Sequence, residues 1–220
     1  MKATLNISSE TNNKKHFSET TFMKQFLFSI SVLILFSCCS SSEKYTVLTT
    51  LSEADTVTCV IEIPAGTNKK IEQNKQTYRF EIDQRDGKDR VIQFLPYPGN
   101  YGYIAGTYSD PEKGGDGDAL DVLVIAETLP SGTILQTIPL GVLKLIDDGE
   151  EDYKILAIPS DPALQTVTAK TFSEFKSNYP QAVEIIQLWF LNYDTEPIKV
   201  LGWGDEIEAL SEIKKTIVVI

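Results

Sequence analysis

The sequence predicts a mainly β domain of the α+β class with helices at its C-terminal end. Six short runs rich in β-branched and aromatic residues are bounded by Gly, Pro, Asp or Asn, which is typical of strands separated by turns. Near the C-terminus the apolar residues instead recur at helical spacing. The 220 residues show no internal repeat and no second globular domain.

The predicted strands follow one another from the first apolar run of the domain. They are residues 57–64, 78–83, 101–107, 120–125, 133–146 and 153–158. Within the last two, 141–146 and 155–159 are predicted to pair across an acidic turn. The polar segment 65–77 is predicted to be an exposed loop.

Two helices are predicted after the last strand. The first spans 180–193, where one apolar face is formed by a set recurring at helical spacing: Ala182, Ile185, Ile186, Trp189, Phe190 and Tyr193. The second spans 206–216.

The N-terminal residues predict where the protein resides. After Met23, at which we expect translation to begin, a basic start precedes an apolar core of about a dozen residues and then small residues, the layout of a secretory signal. This core is too short to span a bilayer. The segment Leu35-Phe36-Ser37-Cys38 resembles a bacterial lipobox, so Cys38 is the predicted lipidation site.

These features divide the chain into three parts. A polar leader and lipoprotein signal peptide occupies 1–37, the lipidated cysteine and a tether occupy 38–56, and the globular domain occupies 57–220. We expect the mature protein in the bacterial cell envelope, lipid-anchored at the periplasmic side or the outer membrane.

Composition excludes several functions for the domain. A net charge of −11 argues against nucleic acid as a partner. The chain has one histidine, His16, which lies in the predicted leader, so the domain cannot use imidazole as a base or zinc ligand. Cys59 is the only cysteine outside the anchor segment and is predicted to be a small buried apolar residue.

Three carboxylates within six residues, Asp116, Asp118 and Asp121, precede an apolar strand and point to a cation site. Unit charges about 4 Å apart repel by about 4 kcal/mol at an effective dielectric near 20. If the three carboxylates converge, a hard divalent ion such as Mg²⁺ is therefore needed to offset their repulsion. A solvated turn is the simpler alternative. The segment does not match an EF-hand calcium loop, because Leu120 occupies a ligand position and Asp121 occupies the position that requires glycine.

A second acidic cluster and a series of short motifs resemble one known family. The motifs are Ile61-Glu62-Ile63-Pro64, Glu81-Ile82-Asp83, the run 97–103 (YPGNYGY), the run 116–124 (DGDALDVLV), and Gly141-Val142-Leu143-Lys144 followed by Asp147, Asp152 and Lys154. In this order they resemble the soluble family I inorganic pyrophosphatases, from about residue 57 to residue 203. The resemblance implies a small closed OB-like β-barrel flanked by C-terminal helices.

The resemblance also implies a site that hydrolyses pyrophosphate with Mg²⁺. Asp116, Asp121 and Asp152 would hold a first metal, with Asp121 bridging to a second. Asp147 and Asp152 would hold an ion that arrives with the substrate, while Glu62 and Glu81 would contribute from the outer coordination sphere. Asp118 would be the catalytic base. Phosphate oxygens would be bound by a basic and phenolic set: Arg79, Arg90, Tyr101, Lys154 and Tyr193.

The chain departs from the family pattern at three positions. The spacing from Arg90 to Tyr97 is one residue shorter, Arg79 stands where lysine is usual, and Asp194 stands where lysine usually follows the tyrosine. Because Asp194 reverses a charge at the phosphate end, we expect it to weaken pyrophosphate binding.

Three functions therefore stay open on sequence. The first is an Mg²⁺-dependent inorganic pyrophosphatase in the envelope, the second a phosphohydrolase of another phosphoanhydride, and the third a non-catalytic metal-binding lipoprotein. The full set of five aspartates with Lys154 favours an enzyme, since a binding module has no need of it. The oligomeric state stays open between monomer and homo-oligomer.

Overall fold

The computed structural model describes residues 50–51, 55–194 and 197–218. The predicted leader and signal peptide, Cys38 and most of the tether lie outside these residues. No helix of the described ranges has the length and apolar character needed to cross a membrane.

The domain is built mainly from β-strands. In chain order they are β1 (Val57–Ile63), β2 (Ile71–Gln73), β3 (Phe80–Ile82), β4 (Gln84–Arg85), β5 (Lys88–Asp89), β6 (Asn100–Ile104), β7 (Asp121–Val124), β8 (Ile134–Asp147), β9 (Glu150–Glu151), β10 (Lys154–Pro159) and β11 (Lys199–Gly204). Among the described residues, seven strands form one sheet in the order β1-β6-β7-β10-β8-β11, with β9 paired to β8. β1 also pairs with β8. The strand pairs β2–β3 and β4–β5 form two small ribbons.

Helices follow in the C-terminal part: α1 (Phe172–Asn178), α2 (Pro180–Asn192) and α3 (Glu206–Thr216). Thr171 caps α1 by accepting a hydrogen bond from the Glu174 amide, and Asp205 caps α3 by accepting from Ile207 and Glu208. α2 begins at Pro180, whose ring suits the first helical turn. The predicted mainly β class with C-terminal helices is confirmed.

The predicted elements differ from the structure in a few places. Segment 65–77 is not only loop, because it contains β2, and the strand predicted over 78–83 shortens to Phe80–Ile82. The prediction has no counterpart for α1, β11 or the two-residue strands β4, β5 and β9. The predicted antiparallel pairing of the last two strands is confirmed for β8 and β10, but 155–159 pair with 137–142 and not with 141–146.

Two apolar clusters lie on opposite faces of the sheet, and β10 contributes to both with a period of two. Leu156 and Ile158 join the cluster that contains Trp189 and Phe190 of α2. Ile155 and Ala157 join the other, which contains Ala209 and Ile213 of α3. Alternation therefore places Lys154, the first residue of β10, on the α2 face, at the edge of the first cluster.

One strand pair fixes the position of the acidic segments. β7 and β10 run parallel, with Asp121 opposite Lys154 and Val122 opposite Ile155. Both strands consequently begin at the same end of the sheet. Asp147, the last residue of the antiparallel neighbour β8, ends there too, so the two acidic clusters of the sequence meet.

Candidate active site

A cavity of about 500 Å³ opens at this end of the sheet. Its walls come from the ends of β1, β6, β7, β8 and β10, from the β2–β3 ribbon and from the end of α2. Ten of the twelve site residues predicted from sequence line it: Glu62, Arg90, Tyr101, Asp116, Asp118, Asp121, Asp147, Asp152, Lys154 and Tyr193.

Asp116, Asp121 and Asp152 form the acidic centre of the cavity. One carboxylate oxygen of each lies within 4.8 Å of the others. The loop before β7 holds Asp116 in place, since Asp116 Oδ1 accepts a hydrogen bond from the Asp118 amide at 3.0 Å. Gly117 adopts a φ of 81°, a left-handed conformation that favours glycine, and so lets this loop turn. Hard oxygen ligands so arranged fit a divalent ion such as Mg²⁺.

Lys154 is buried beside this centre, with 4% of its surface exposed. Its Nζ donates to Asp121 Oδ2 at 2.5 Å and also to Asp152 Oδ1. Burial alone would lower the pKa of Lys154, but the charges of Asp121 and Asp152 raise it above its ordinary value. The ammonium therefore stays charged and neutralises part of the carboxylate centre.

Phenol groups line the side of the cavity that faces α2. The Tyr101 hydroxyl donates to Asp121 Oδ2 at 2.5 Å. Burial, followed by the charge of Asp121, raises the pKa of Tyr101 well above its ordinary value, so the phenol remains a donor. The ring of Tyr193 stacks on Trp189 at 5.0 Å, and burial raises the pKa of its phenol to about 12.

Glu62 connects the sheet to the β2–β3 ribbon. Its Oε1 accepts a hydrogen bond from the Gln73 amide at 2.7 Å. The Gln73 side chain in turn accepts from the Tyr103 hydroxyl at 2.8 Å. Burial, more than the nearby charge of Asp121, raises the pKa of Glu62 to about 8. These bonds fix the ribbon over the cavity.

Asp118 is the most accessible of the three loop aspartates and meets the tip of the ribbon. Lys75 Nζ lies 2.6 Å from Asp118 Oδ1, with 83% and 63% of the two side chains exposed. A pair this exposed contributes little to stability. Asp118 is therefore free to exchange Lys75 for another partner.

Arg90 lies at the opposite end of the cavity between two carboxylates. It donates to Asp83 at 2.8 Å and forms an ion pair with Asp194 at 3.6 Å. Partial burial opposes ionisation of Asp83, but its bonds to Arg90 and to the Gln84 amide lower its pKa. Asp194 lines the cavity.

The structure does not bring Arg79 and Glu81 into the cavity. Both are exposed, Arg79 just before β3 and Glu81 on it, and β3 pairs with β2 and lies one strand further from Glu62. The chain carries the pattern of a basic, an apolar and a glutamate residue twice, in 70–72 and in 79–81. The structure lines the cavity with Lys70 and Glu72 of the first copy.

Sequence reasoning also missed Lys75 and Arg85, which line the cavity from the two ribbons. The repeated triplet was a signal that could have directed attention to Lys70 and Glu72. No comparable pattern marks Lys75 or Arg85, because their place depends on how the ribbons fold over the sheet.

A mainly β domain with converging carboxylates, a buried lysine and further cationic side chains in one cavity is suited to bind a divalent ion together with an anionic ligand, as metal-dependent enzymes do. The family model described as inorganic pyrophosphatase matches residues 59–219. The chain belongs to this inorganic pyrophosphatase family, whose members are hydrolases.

Individual relatives agree with the family model. An inorganic pyrophosphatase of Neisseria meningitidis serogroup B is 36% identical over 166 residues, which are 73% of this chain and 86% of that protein. One from Sulfolobus acidocaldarius is 35% identical over 74% of this chain and 90% of its own length. The crystal structure of a Neisseria gonorrhoeae inorganic pyrophosphatase matches 79% of this chain and 96% of its own, with a TM-score of 0.67 and 32% identity.

Proposed function

We propose that this chain hydrolyses inorganic pyrophosphate to two phosphates with Mg²⁺, as an enzyme tethered in the bacterial cell envelope. The observation that carries the proposal is the convergence of Asp116, Asp121 and Asp152 beside the buried Lys154, in a cavity that also holds Arg90. The ring of pairings from β1 through β6, β7, β10 and β8 back to β1 supports the small OB-like barrel that the family resemblance implies.

The carboxylates fit the metal through their chemistry, because each offers a hard anionic oxygen to a common point. Asp116, Asp121 and Asp152 would hold the ion, with Asp147 at the neighbouring strand end for a further one. When bound, Mg²⁺ would activate water and relieve the charge of the phosphates.

Side chains of the protein carry out the proton transfer and bind the phosphate oxygens. A water oxygen forms a bond to one phosphorus while the bond from that phosphorus to the bridging oxygen breaks, and the electron pair leaves with the departing phosphate. Asp118 accepts the proton of the water. Lys154, Arg90 and the Tyr193 phenol orient phosphate oxygens, Arg90 through its planar fork and Lys154 as a point charge.

Phosphate release from pyrophosphate by the full chain tests this proposal. With Mg²⁺ we expect turnover, and with excess chelator we expect none. A full rate in chelator would exclude the metal-dependent mechanism. The same assay run with nucleoside triphosphates and polyphosphate separates the second candidate, a hydrolase of another phosphoanhydride, which Asp194 favours because it places a negative charge in the cavity.

The location rests on the lipobox-like segment that ends at Cys38 and on the preceding apolar core. Together they support a lipid anchor, which fatty-acid labelling tests. For assembly we propose a homo-oligomer, supported by the exposed Ile185 and Leu188 on α2. Sedimentation of the protein at the mass of a single chain, at micromolar concentration, would exclude that assembly.

A further inference from the structure

The guanidinium of Arg90 is shared between two carboxylates of the chain. NH1 donates to Asp83 at 2.8 Å, whereas NH2 faces Asp194 at 3.6 Å. Only 18% of the Arg90 side chain and 23% of the Asp194 side chain are exposed. The pair is thus more shielded from solvent than Lys75 with Asp118.

The two carboxylates do not hold Arg90 in the same way. Asp83 is within hydrogen-bond distance and comes just after the β2–β3 ribbon, outside the cavity lining. Asp194 is beyond hydrogen-bond distance, follows Tyr193 directly and lines the cavity. Asp83 therefore anchors the arginine, while Asp194 occupies the side from which an anion in the cavity would approach.

An anion that binds Arg90 from the cavity meets a group of its own charge. Arginine recognises phosphate best through two parallel N–H donors, and NH2 is one of them. Phosphate must then either displace Asp194 from NH2 or share that nitrogen with it. In both cases the charge of Asp194 opposes binding of phosphate, and a partly buried site screens this repulsion less than water does.

We propose that Asp194 sets how tightly the site retains phosphate, by competing with it for Arg90. Asp194 is then a specificity-determining residue that speeds release of the product phosphate and raises KM for the substrate. This inference rests on the proposed function, since it takes phosphate as product, yet phosphate binding can be measured without turnover.

Calorimetric binding of inorganic phosphate to the full chain with Mg²⁺ tests the competition. Asp194→Asn removes the charge and keeps the volume, so we expect phosphate to bind about two- to fivefold more tightly, the upper part of the range of a partly exposed ion pair. The matched control is Glu150→Gln. Glu150 also lines the cavity, so this variant removes the same charge without touching an Arg90 contact, and we expect affinity within about twofold of wild type.

A double-mutant cycle separates competition for Arg90 from general repulsion. In an Arg90→Gln background, Asp194→Asn should raise phosphate affinity less than it does in wild type, because only the direct repulsion is left when there is no guanidinium to compete for. If that background does not fold, Arg90→Lys replaces it, and there the gain from Asp194→Asn should be smaller than in wild type.

Several results would overturn the proposal. Weaker phosphate binding in Asp194→Asn would mean that Asp194 holds Arg90 in place. Unchanged phosphate affinity in Asp194→Asn, or an equal gain in Glu150→Gln, would show that Asp194 does not compete specifically with phosphate for Arg90. Absence of pyrophosphate turnover, with the affinity gain present, would instead remove the proposed function and leave the competition standing.

Discussion

Lys154 and Asp121 are direct partners in the register of β10 with β7, and Lys154 Nζ lies 2.5 Å from Asp121 Oδ2. In a parallel pair, partners in register project from the same face. The ion pair is therefore a product of strand register, and the lysine takes the place of part of the positive charge that the carboxylates require.

Lys154→Met should destabilise the ion-free protein, because Asp121 and Asp152 lose their common donor. Breaking a buried charged contact costs about 2 kcal/mol here, allowing for the partial exposure of both carboxylates, which lowers Tm by about 4 to 8 °C. Mg²⁺ should then raise Tm more in the variant than in wild type, since no ammonium competes for the carboxylates. Thermal unfolding in chelator and in Mg²⁺ measures both effects.

The matched control for this change is Lys144→Met. Lys144 pairs with Glu208 at 2.8 Å on the other side of the sheet, and both side chains are partly exposed. We expect it to change stability by less than about 1 kcal/mol. An ion-free Tm in Lys154→Met equal to that of this control would contradict the neutralising role of Lys154.

Asp118→Asn should cut kcat by about 10²- to 10⁴-fold, because an amide cannot accept the proton of the attacking water. The fold and its stabilisation by Mg²⁺ should persist, since Asp118 is exposed and lies outside the carboxylate centre. Steady-state kinetics beside thermal unfolding distinguishes the two effects. Asp110→Asn serves as control, because Asp110 is a partly exposed carboxylate outside the cavity lining, and turnover retained in Asp118→Asn would assign the base to another residue.

Cys59 should make stability depend on alkaline pH. Burial, only partly offset by the hydrogen bond with Thr137, raises the pKa of its thiol to about 12. Because the folded pKa exceeds the unfolded one, the stabilisation is complete below about pH 8.5 and is lost as pH rises, at about 1.4 kcal/mol per pH unit. Urea unfolding of wild type and Cys59→Ala at pH 8 to 11 checks this. Parallel declines in the two proteins would show that Cys59 contributes nothing.

The lipid anchor makes a separate prediction about two adjacent cysteines. Cys38→Ala should abolish incorporation of a fatty-acid analogue in cells, since the thioether needs that sulfur, whereas Cys39→Ala should be labelled like wild type. Label retained in Cys38→Ala would place the anchor elsewhere.

Secondary structure is predictable from the sequence where one pattern, such as an apolar periodicity with its caps, extends over many residues. α3 has the predicted bounds of 206–216, because its cap, apolar face and last-turn lysines agree. The prediction lacks α1 although Thr171 and Glu174 have the sequence spacing of a capping box, since only seven residues follow this signal. β11 was missed because its glycines interrupt the apolar alternation.

The site shows the same limit. The pattern of the aspartate loop alone predicts a cation site, whereas Asp147, Asp152 and Lys154 are assigned to the same site only by the family resemblance. Arg79 and Glu81 were assigned to the site by family pattern, yet the three-residue strand β2 puts Lys70 and Glu72 nearer to Glu62. The register of the β2–β3 ribbon decides which copy of the triplet faces the cavity. A strand of three residues is too short for its sequence pattern to indicate that register.

The parallel pairing of β7 with β10 also ties activity to the order of folding. Asp121 and Lys154 are 33 residues apart, so the strand β8 between them must fold back before they can meet. A slip of one residue would turn Lys154 to the α3 face and separate it from both aspartates. Neutralisation of the carboxylates is consequently acquired only with the correct sheet, and a chain trapped in a wrong register would carry Asp121 and Asp152 without their common donor.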